Sequence, residues 1–405
     1  MSDIIVILGA SARAAAFSAL RAGLEPYFGD CFGDSDLVRR CDGEVTRRYP
    51  WSLLSIARRA PAGPWIYTGG VENHARLVDR IAAGRLLLGN SARVLAAVRD
   101  PARIAAALSQ RGLPSLLVKS SAAGLPRDGT WLMKRVRSAG GIGIQFWNRS
   151  AAPVRRRGAH YFQQYLQGPS FAALFIAVAG RAVLLGVTEQ LVGCEWTGAG
   201  PFTYCGSIGP APLSARLQAQ IEAIGVCFAR EFSLQGLFGV DGIVAGEAFW
   251  TVEVNPRYTA SVEVLERAMG ISALRLHVEA CWGGVLPGEE AVRQHFARRT
   301  LQWCGKAVLY VRADVTVGER FHHWLCEQNG AQDWPGAADI PHARSTIARR
   351  HPVTTLFSVA ATRDELLCDL RERVAEAEAI LHGTPVIGQQ PPVQEPTAIP
   401  GSQCP

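Results

Sequence analysis

Two acids and an amide in the second half of the chain are the residues best suited to do chemistry. Asp241 interrupts the apolar run Leu237 to Val244, and Glu253 with Asn255 closes the next run, Ala248 to Val254, beyond the turn Ala245-Gly246-Glu247. Both runs have strand character, and the short turn makes them a hairpin. Side chains alternate across a strand, so Glu253 and Asn255 share a face and pairing brings Asp241 beside them. Three oxygen donors without His or Cys suit Mg²⁺ carrying a nucleotide's phosphates better than Zn²⁺. The alternative, acids that merely face solvent, fits a single acid better than the combined Asp, Glu-x-Asn-Pro-Arg set.

A second constellation lies upstream. Thr130 to Arg137 and Ile144 to Trp147 are strand patterns around Ser138-Ala139-Gly140-Gly141-Ile142-Gly143, with Lys134 inside the first. A P-loop differs, since its lysine follows the glycines and opens a helix. The physical use is similar: glycines let backbone N–H groups approach phosphate oxygens, and an ammonium supplies a point charge. A plain β-turn beside a surface lysine is an equal alternative at this stage.

The elements that must position these groups follow from the patterning. Ile4 to Leu8, Gly9-Ala10-Ser11 and a helix over Ala12 to Ala22 make a β-loop-α opening, with Leu24 to Phe28 as the next parallel strand. The loop Gly9 to Arg13 lacks GxGxxG and a downstream ribose-binding acid, so it is fold architecture or a substrate-side loop. Trp65 to Tyr67, a helix over Glu72 to Ala83, and Leu86 to Asn90 extend this unit to about residue 95. Asp100 caps a helix reaching Gln110, with Pro101 at its first position. The strand Phe171 to Val178 pairs with Val183 to Val187, and an amphipathic helix over Ala215 to Phe232 leads into the acid hairpin. Helices follow at Val262 to Met269 and Ala273 to Cys281. Lys306 to Val311 and Val353 to Val359 read as strands of a smaller α/β region, and Thr362-Arg-Asp-Glu365 is a capping box opening a helix to about Leu381. From Gly383 the Pro- and Gln-rich tail is expected to be disordered.

At 405 residues the chain is long enough for about two to four domains. With 19% charged and 48% apolar residues it is neither disordered nor fibrous. The net charge of +7 is spread over arginines such as Arg155-Arg156-Arg157 and Arg349-Arg350, without the aromatic-rich basic stripe of a nucleic-acid binder. Nucleotide phosphates are the better anion. None of the ten cysteines forms CxxC, which disfavours a zinc ribbon or a thioredoxin motif. There is no signal-peptide pattern and no apolar stretch of the ~18 residues a membrane helix needs, so cytoplasmic residence with reduced thiols is expected.

Lys134 before a glycine loop, Gln163-Gln164-Tyr165-Leu166 before Gly168, and Asp241 with Glu253-Val-Asn255-Pro-Arg257 occur in that order. Together they resemble the ATP-grasp superfamily. The resemblance implies an α/β fold: a Rossmann-like N-terminal domain at 1–95, an ATP-grasp clamp of two α+β subdomains at 96–300, and a small C-terminal α/β subdomain at 301–382. The disordered tail would be 383–405. Ala338-Asp339-Ile340-Pro341 and Pro352 to Phe357 carry the likeness to the carboxylase-like branch.

By the same resemblance Lys134 holds the α- and β-phosphates of ATP, and Ala139 to Gly143 close over them, with Gly140, Gly141 and Gly143 approaching closest. Gln163, Gln164, Tyr165 and Leu166 form the hinge against the adenine. Asp241, Glu253 and Asn255 hold Mg²⁺. Arg257 steadies charge on the transferred phosphoryl group; its alternative is an ion pair with a carboxylate such as Glu263. Two departures stand out. Ser170 occupies a position where many members place a ribose-binding acid, and Asp100 is followed by Pro101 where many carry a lysine, leaving Arg99 or Arg103 as substitutes. The implied activity is ATP-dependent ligation of a small-molecule carboxylate to an amine through an acyl phosphate, in amino-acid or one-carbon cofactor biosynthesis, with tyramine–glutamate ligases as the nearest sub-family. A carboxylase-like ligase and a non-catalytic nucleotide-binding regulator are the alternatives. Small-molecule partners, no nucleic acid, no membrane and a homodimer complete the expectation. Substrate contacts are expected from Gly69 to Asn73, Glu189-Gln190 and Cys194 to Gly206.

Overall fold

The computed structural model describes residues 3–151, 160–288, 292, 302–329 and 334–383. The Arg155-Arg156-Arg157 run and nearly all of the proline-rich tail lie outside the described residues.

Four parallel strands open the chain: β1 (Ile4–Leu8), β2 (Glu25–Asp30), β3 (Asp42–Val45) and β4 (Trp65–Tyr67), in the order β3-β2-β1-β4. β1 is apolar throughout because both its faces are covered. Ile5 and Ile7 pack toward Ala15, Ala16 and Phe28, whereas Val6 and Leu8 pack toward Leu53, Ile56 and Leu77. The loops after β1 and β4 therefore stand at the carboxyl ends of neighbouring strands, where open α/β sheets present their ligand-facing groups. The run Leu86 to Asn90 contributes a single bridge, Leu87 to Trp65, instead of a strand. The helix expected over Glu72 to Ala83 is broken. A 3₁₀ turn spans Val71–Asn73, His74 leaves the helical region at φ −126°, ψ 56°, and the α-helix starts at Ala75.

Helix Pro101–Ser109 is capped as its sequence predicts, Asp100 Oδ1 accepting from Ala102 N at 2.9 Å. Beyond it a small antiparallel sheet is built from β5 (Val118–Lys119), β6 (Asp128–Arg135), β7 (Gln145–Asn148) and β8 (His160–Gln164), in the order β5-β8-β6-β7. Period-2 alternation divides its residues. Met133 and Phe162 join Trp147 in a small core, while Leu132, Lys134, Tyr161 and Gln163 face a cavity.

The other wall of that cavity is an eight-stranded sheet. It contains β9 (Ser170–Val178), β10 (Arg181–Val192), β11 (Tyr204–Gly209), β12 (Gly236–Ala245), β13 (Ala248–Asn255) and β14 (Trp303–Tyr310). Next come β15 (Val315–Thr316), β16 (Ala337–Ala338), β17 (Thr346–Ile347) and β18 (Pro352–Ala360). The large sheet runs β13-β12-β9-β10-β11-β14-β18-β16, and β15 with β17 forms a separate ribbon. β9 again alternates: Ala173, Phe175 and Ala177 pack with Ile224 and Phe228 of helix Ala215–Phe232, while Leu174 and Ile176 pack with Leu265 and Leu274 beneath the N-terminal domain.

The strands expected near Lys306 and Val353 do not make a sheet of their own. β14 pairs with β11 from Gly206↔Ala307 to Gly209↔Cys304, so the C-terminal strands extend the large sheet. A strand edge left by β11 is covered in this way. Helix Arg363–Leu381, opened by the predicted Thr362–Glu365 capping box, packs Leu366, Leu370 and Val374 onto the extension.

Arg13, at the end of the first loop, ties three segments together. It pairs with Glu263, and its Nε and Nη2 donate to Asp339 at 2.8 and 2.9 Å, while Lys306 Nζ reaches Glu263 Oε2 at 2.7 Å. Burial works against charge on Glu263, yet Arg13 and Lys306 pull its carboxyl down to about 2. That loop is architecture.

Candidate functional site

β12 and β13 pair so that Asp241 opposes Glu253 and Gly239 opposes Asn255. The register shifts between Asp241 and Gly242, leaving Val252 without a ladder partner. Its carbonyl is taken instead by Gln163 Nε2 at 3.2 Å, which joins the small sheet to the hairpin. Asn255 Nδ2 donates to Asp241 Oδ2 at 2.9 Å and reaches Glu253 Oε1 at 3.5 Å. The two acids and the amide are thus brought together, with Asn255 presenting its nitrogen to the acids and its oxygen to Arg257.

Burial and the facing Glu253 carboxylate push Asp241 well above the usual carboxylate range. A cation held beside Asp241 would relieve it. No cluster of three or more His, Cys, Asp or Glu side chains able to hold a metal occurs among the described residues. The set is two carboxylates and an amide, a donor chemistry that suits a hard cation such as Mg²⁺. The residues fit Mg²⁺ in that role.

These groups line a cavity of about 620 Å³ between the small sheet and the large one. That volume lies in the range for small-molecule sites. Its wall is divided chemically: Ile104, Leu116, Leu132, Leu166 and Ile243 at the apolar part, and Lys134, Arg99, Arg257 and the acids at the polar part. Such a division suits a heterocycle joined to phosphates.

Lys134 is 6% exposed, so it is no surface lysine. Its Nζ donates to Gln163 Oε1 at 2.6 Å. Burial lowers the ammonium to about 8, with Glu253 and Asp241 opposing the shift. In the folded state the charged form is therefore disfavoured. Below pH 8 the lysine is charged both folded and unfolded and the full penalty is present; it fades as pH rises from 8 toward the unfolded value of about 10.4. Lys134→Met should stabilise the nucleotide-free protein at pH 7 by up to about 3 kcal/mol, an advantage that shrinks toward pH 10. The same change should weaken ATP binding by on the order of 1.5–3 kcal/mol. Denaturant unfolding at the two pH values, with calorimetry of ATP, checks both. A variant less stable at pH 7, or a difference independent of pH, would remove the strain assigned to this lysine.

The other expected contacts are distributed unevenly. Gly140, Gly141 and Gly143 all take positive φ, at 63°, 81° and 79°. At Gly141 the requirement is doubled, since a Cβ there would lie 1.8 Å from Phe202 O. Tyr165 and Leu166 line the cavity, Tyr165 with its ring 4.9 Å from that of Phe146. Gln164 also lines it and is bonded to Leu117 through both its backbone N–H (2.9 Å) and its side-chain oxygen (3.3 Å). Gln163 faces Lys134 rather than the apolar wall. Ser170 Oγ donates to Gln190 Oε1 at 2.7 Å, and Gln190 Nε2 donates to Asp241 Oδ1 at 3.1 Å. Gln190, expected as a substrate contact, lines the cavity and also holds Asp241. Its signal was a polar pair, Glu189-Gln190, inside an otherwise apolar strand.

Arg257 does not pair with Glu263, which is occupied by Arg13 and Lys306. Its partner is Glu72: Nε and Nη2 lie 2.9 and 2.8 Å from Glu72 Oε1. Nη2 also donates to Asn255 Oδ1 at 3.2 Å. Of the two arginines that could replace the linker lysine, Arg99 lines the cavity, while Arg103 lies over the Phe232 ring.

Comparison with known proteins agrees with this geometry. The family model described as an ATP-grasp domain matches residues 103–261. Residues 103–261 form an ATP-grasp domain. A formate-dependent phosphoribosylglycinamide formyltransferase of Azoarcus sp. (strain BH72) is 30% identical over 109 residues, which are 24% of this chain and 27% of that protein. The alignment thus spans about a quarter of that curated relative's length. Among solved structures, L-amino acid ligase from Bacillus licheniformis superposes with a TM-score of 0.67 at 15% identity, covering 92% of this chain and 97% of that one. N5-carboxyaminoimidazole ribonucleotide synthetase from Thermus thermophilus gives 0.64 at 15% identity, covering 95% and 100%. These likenesses establish the ATP-grasp fold along most of the chain. No helix among the described residues is long and apolar enough to cross a membrane.

Proposed function

We propose that this chain is an ATP-dependent carboxylate–amine ligase. The observation that supports the reading best is a continuous polar chain, Ser170–Gln190–Asp241–Asn255–Arg257–Glu72, running from the nucleotide-side wall to the strand-end loop of the N-terminal domain. It joins a place for phosphates to a place for a second substrate. Residues 1–95 would serve the organic substrates, 96–300 the nucleotide, and 301–382 the completion of the shared sheet.

In the reaction a carboxylate oxygen of the acid attacks the γ-phosphorus of ATP and ADP departs. The amine nitrogen then attacks the acyl carbon, phosphate leaves, and the amine gives up its proton to solvent. No enzyme nucleophile is needed, only alignment and charge compensation. Bound Mg²⁺ would neutralise phosphate charge, held by Asp241, Glu253 and Asn255. Lys134 supplies a desolvated positive charge to the phosphates, and the glycine turn supplies backbone N–H groups. Arg257, anchored by Glu72, faces the region where charge develops. The substrates would be small molecules met in the cytoplasm.

The test is substrate-dependent ADP release from the purified chain with Mg·ATP, screened over paired acids and amines and followed by mass analysis of the conjugate. Formate belongs among the acids because the matched relative is formate-dependent by name. ADP formed only when an acid is present supports the ligase reading. Nucleotide binding without release under any pairing would favour a non-catalytic regulator.

A further inference from the structure

Two consecutive side chains on one turn hold two of the cavity's arginines, Arg257 and Arg99. Glu72, with no side-chain exposure, takes Arg257 through Oε1. Asn73 Oδ1 accepts from Arg99 Nη2 at 2.8 Å. The same Arg99 nitrogen donates to Ser138 O at 2.9 Å, at the start of the glycine-rich turn, and Asn73 Nδ2 reaches that carbonyl at 3.4 Å. The arginines line the cavity, whereas neither Glu72 nor Asn73 is part of its wall.

The two holders differ in charge, and that difference assigns their roles. A carboxylate compensates the guanidinium it grips; an amide fixes the guanidinium and leaves its charge available to an anion. An amide can both accept from Arg99 and donate to Ser138, which a carboxylate cannot. The break in the helix at His74 gives this turn its separate geometry. We propose that Asn73 is a positioning residue for nucleotide binding, acting through Arg99 on the phosphates and the base of the glycine turn, while Glu72 positions Arg257 for the acid. The identity of the ligand rests on the ligase reading.

A double-mutant cycle reads this without turnover. Mg·ATP affinity is measured by calorimetry for the wild type, Asn73→Ala, Arg99→Ala and the double variant, with thermal unfolding recorded for each. Asn73→Ala should weaken binding by about 3–10-fold, the size of one held charge-assisted contact. The double variant should bind no worse than Arg99→Ala alone. Asn73→Ser serves in the same cycle if the alanine variant does not fold. Additive losses, or an Asn73 variant that binds like the wild type, would overturn the assignment. A wild-type chain that does not bind Mg·ATP would overturn the ligase reading and this inference together.

Discussion

Replacing Glu253 with glutamine is expected to lower ADP formation by about 10³-fold, the equivalent of several kcal/mol of lost phosphoryl-charge stabilisation. The fold should survive, because Glu253 packs nothing: it stands on the cavity wall facing Asp241, with Asn255 reaching toward it at 3.5 Å. Removing one of two opposed acids relieves Asp241 but withdraws a partner from the buried Lys134 ammonium, so the two effects on nucleotide-free stability oppose each other. Mg²⁺ titration of the ATP complex gives the direct reading. A folded variant with unchanged ADP release and Mg²⁺ dependence would show that the acids are not the cation's ligands.

Arg257→Met should lower kcat by about 10²–10³-fold with a smaller effect on binding, the range seen when a donor aimed at developing charge is lost. The structure adds a complication. Arg257 is 13% exposed at its side chain and Glu72 is 0%, so the substitution strands a buried carboxylate. Breaking such a pair costs about 3–5 kcal/mol. The double variant Arg257→Met with Glu72→Gln removes the stranded charge and isolates the kinetic effect. A large rise in KM for the acid with kcat preserved would place Arg257 in ground-state binding and remove its transition-state role.

What was legible in the sequence was local. The hairpin that carries Asp241, Glu253 and Asn255 needs only a two-residue period and a short turn, and it formed with the expected pairing. The Asp100 and Thr362 caps likewise depend on neighbours within three residues. Pairings between distant segments were not legible. Lys134 meets Gln163 across 29 positions, and Arg257 meets Glu72 across 185. Glu263 was the nearer carboxylate in sequence, but proximity along a chain says little about which charge remains uncommitted after folding. The break at His74 was hidden for a related reason: the apolar period continues through it, while Glu72 and Asn73 are claimed by arginines elsewhere in the fold. The continuity of β11 with β14 also escaped, because strand edges carry no compositional mark of their eventual partner.

That continuity bears on how the molecule can be made. During synthesis β11 emerges from the ribosome long before β14, and its edge stays open until residues 303–310 follow. The stretch matched as an ATP-grasp domain ends at 261, on the near side of this gap. A recombinant fragment trimmed to that stretch would bare the backbone groups of Gly206 to Gly209 along an unprotected edge, a template for pairing with other chains. Strand β14, backed by β18, thus acts toward the larger sheet as a built-in edge chaperone, one that must be translated before the product is safe to release.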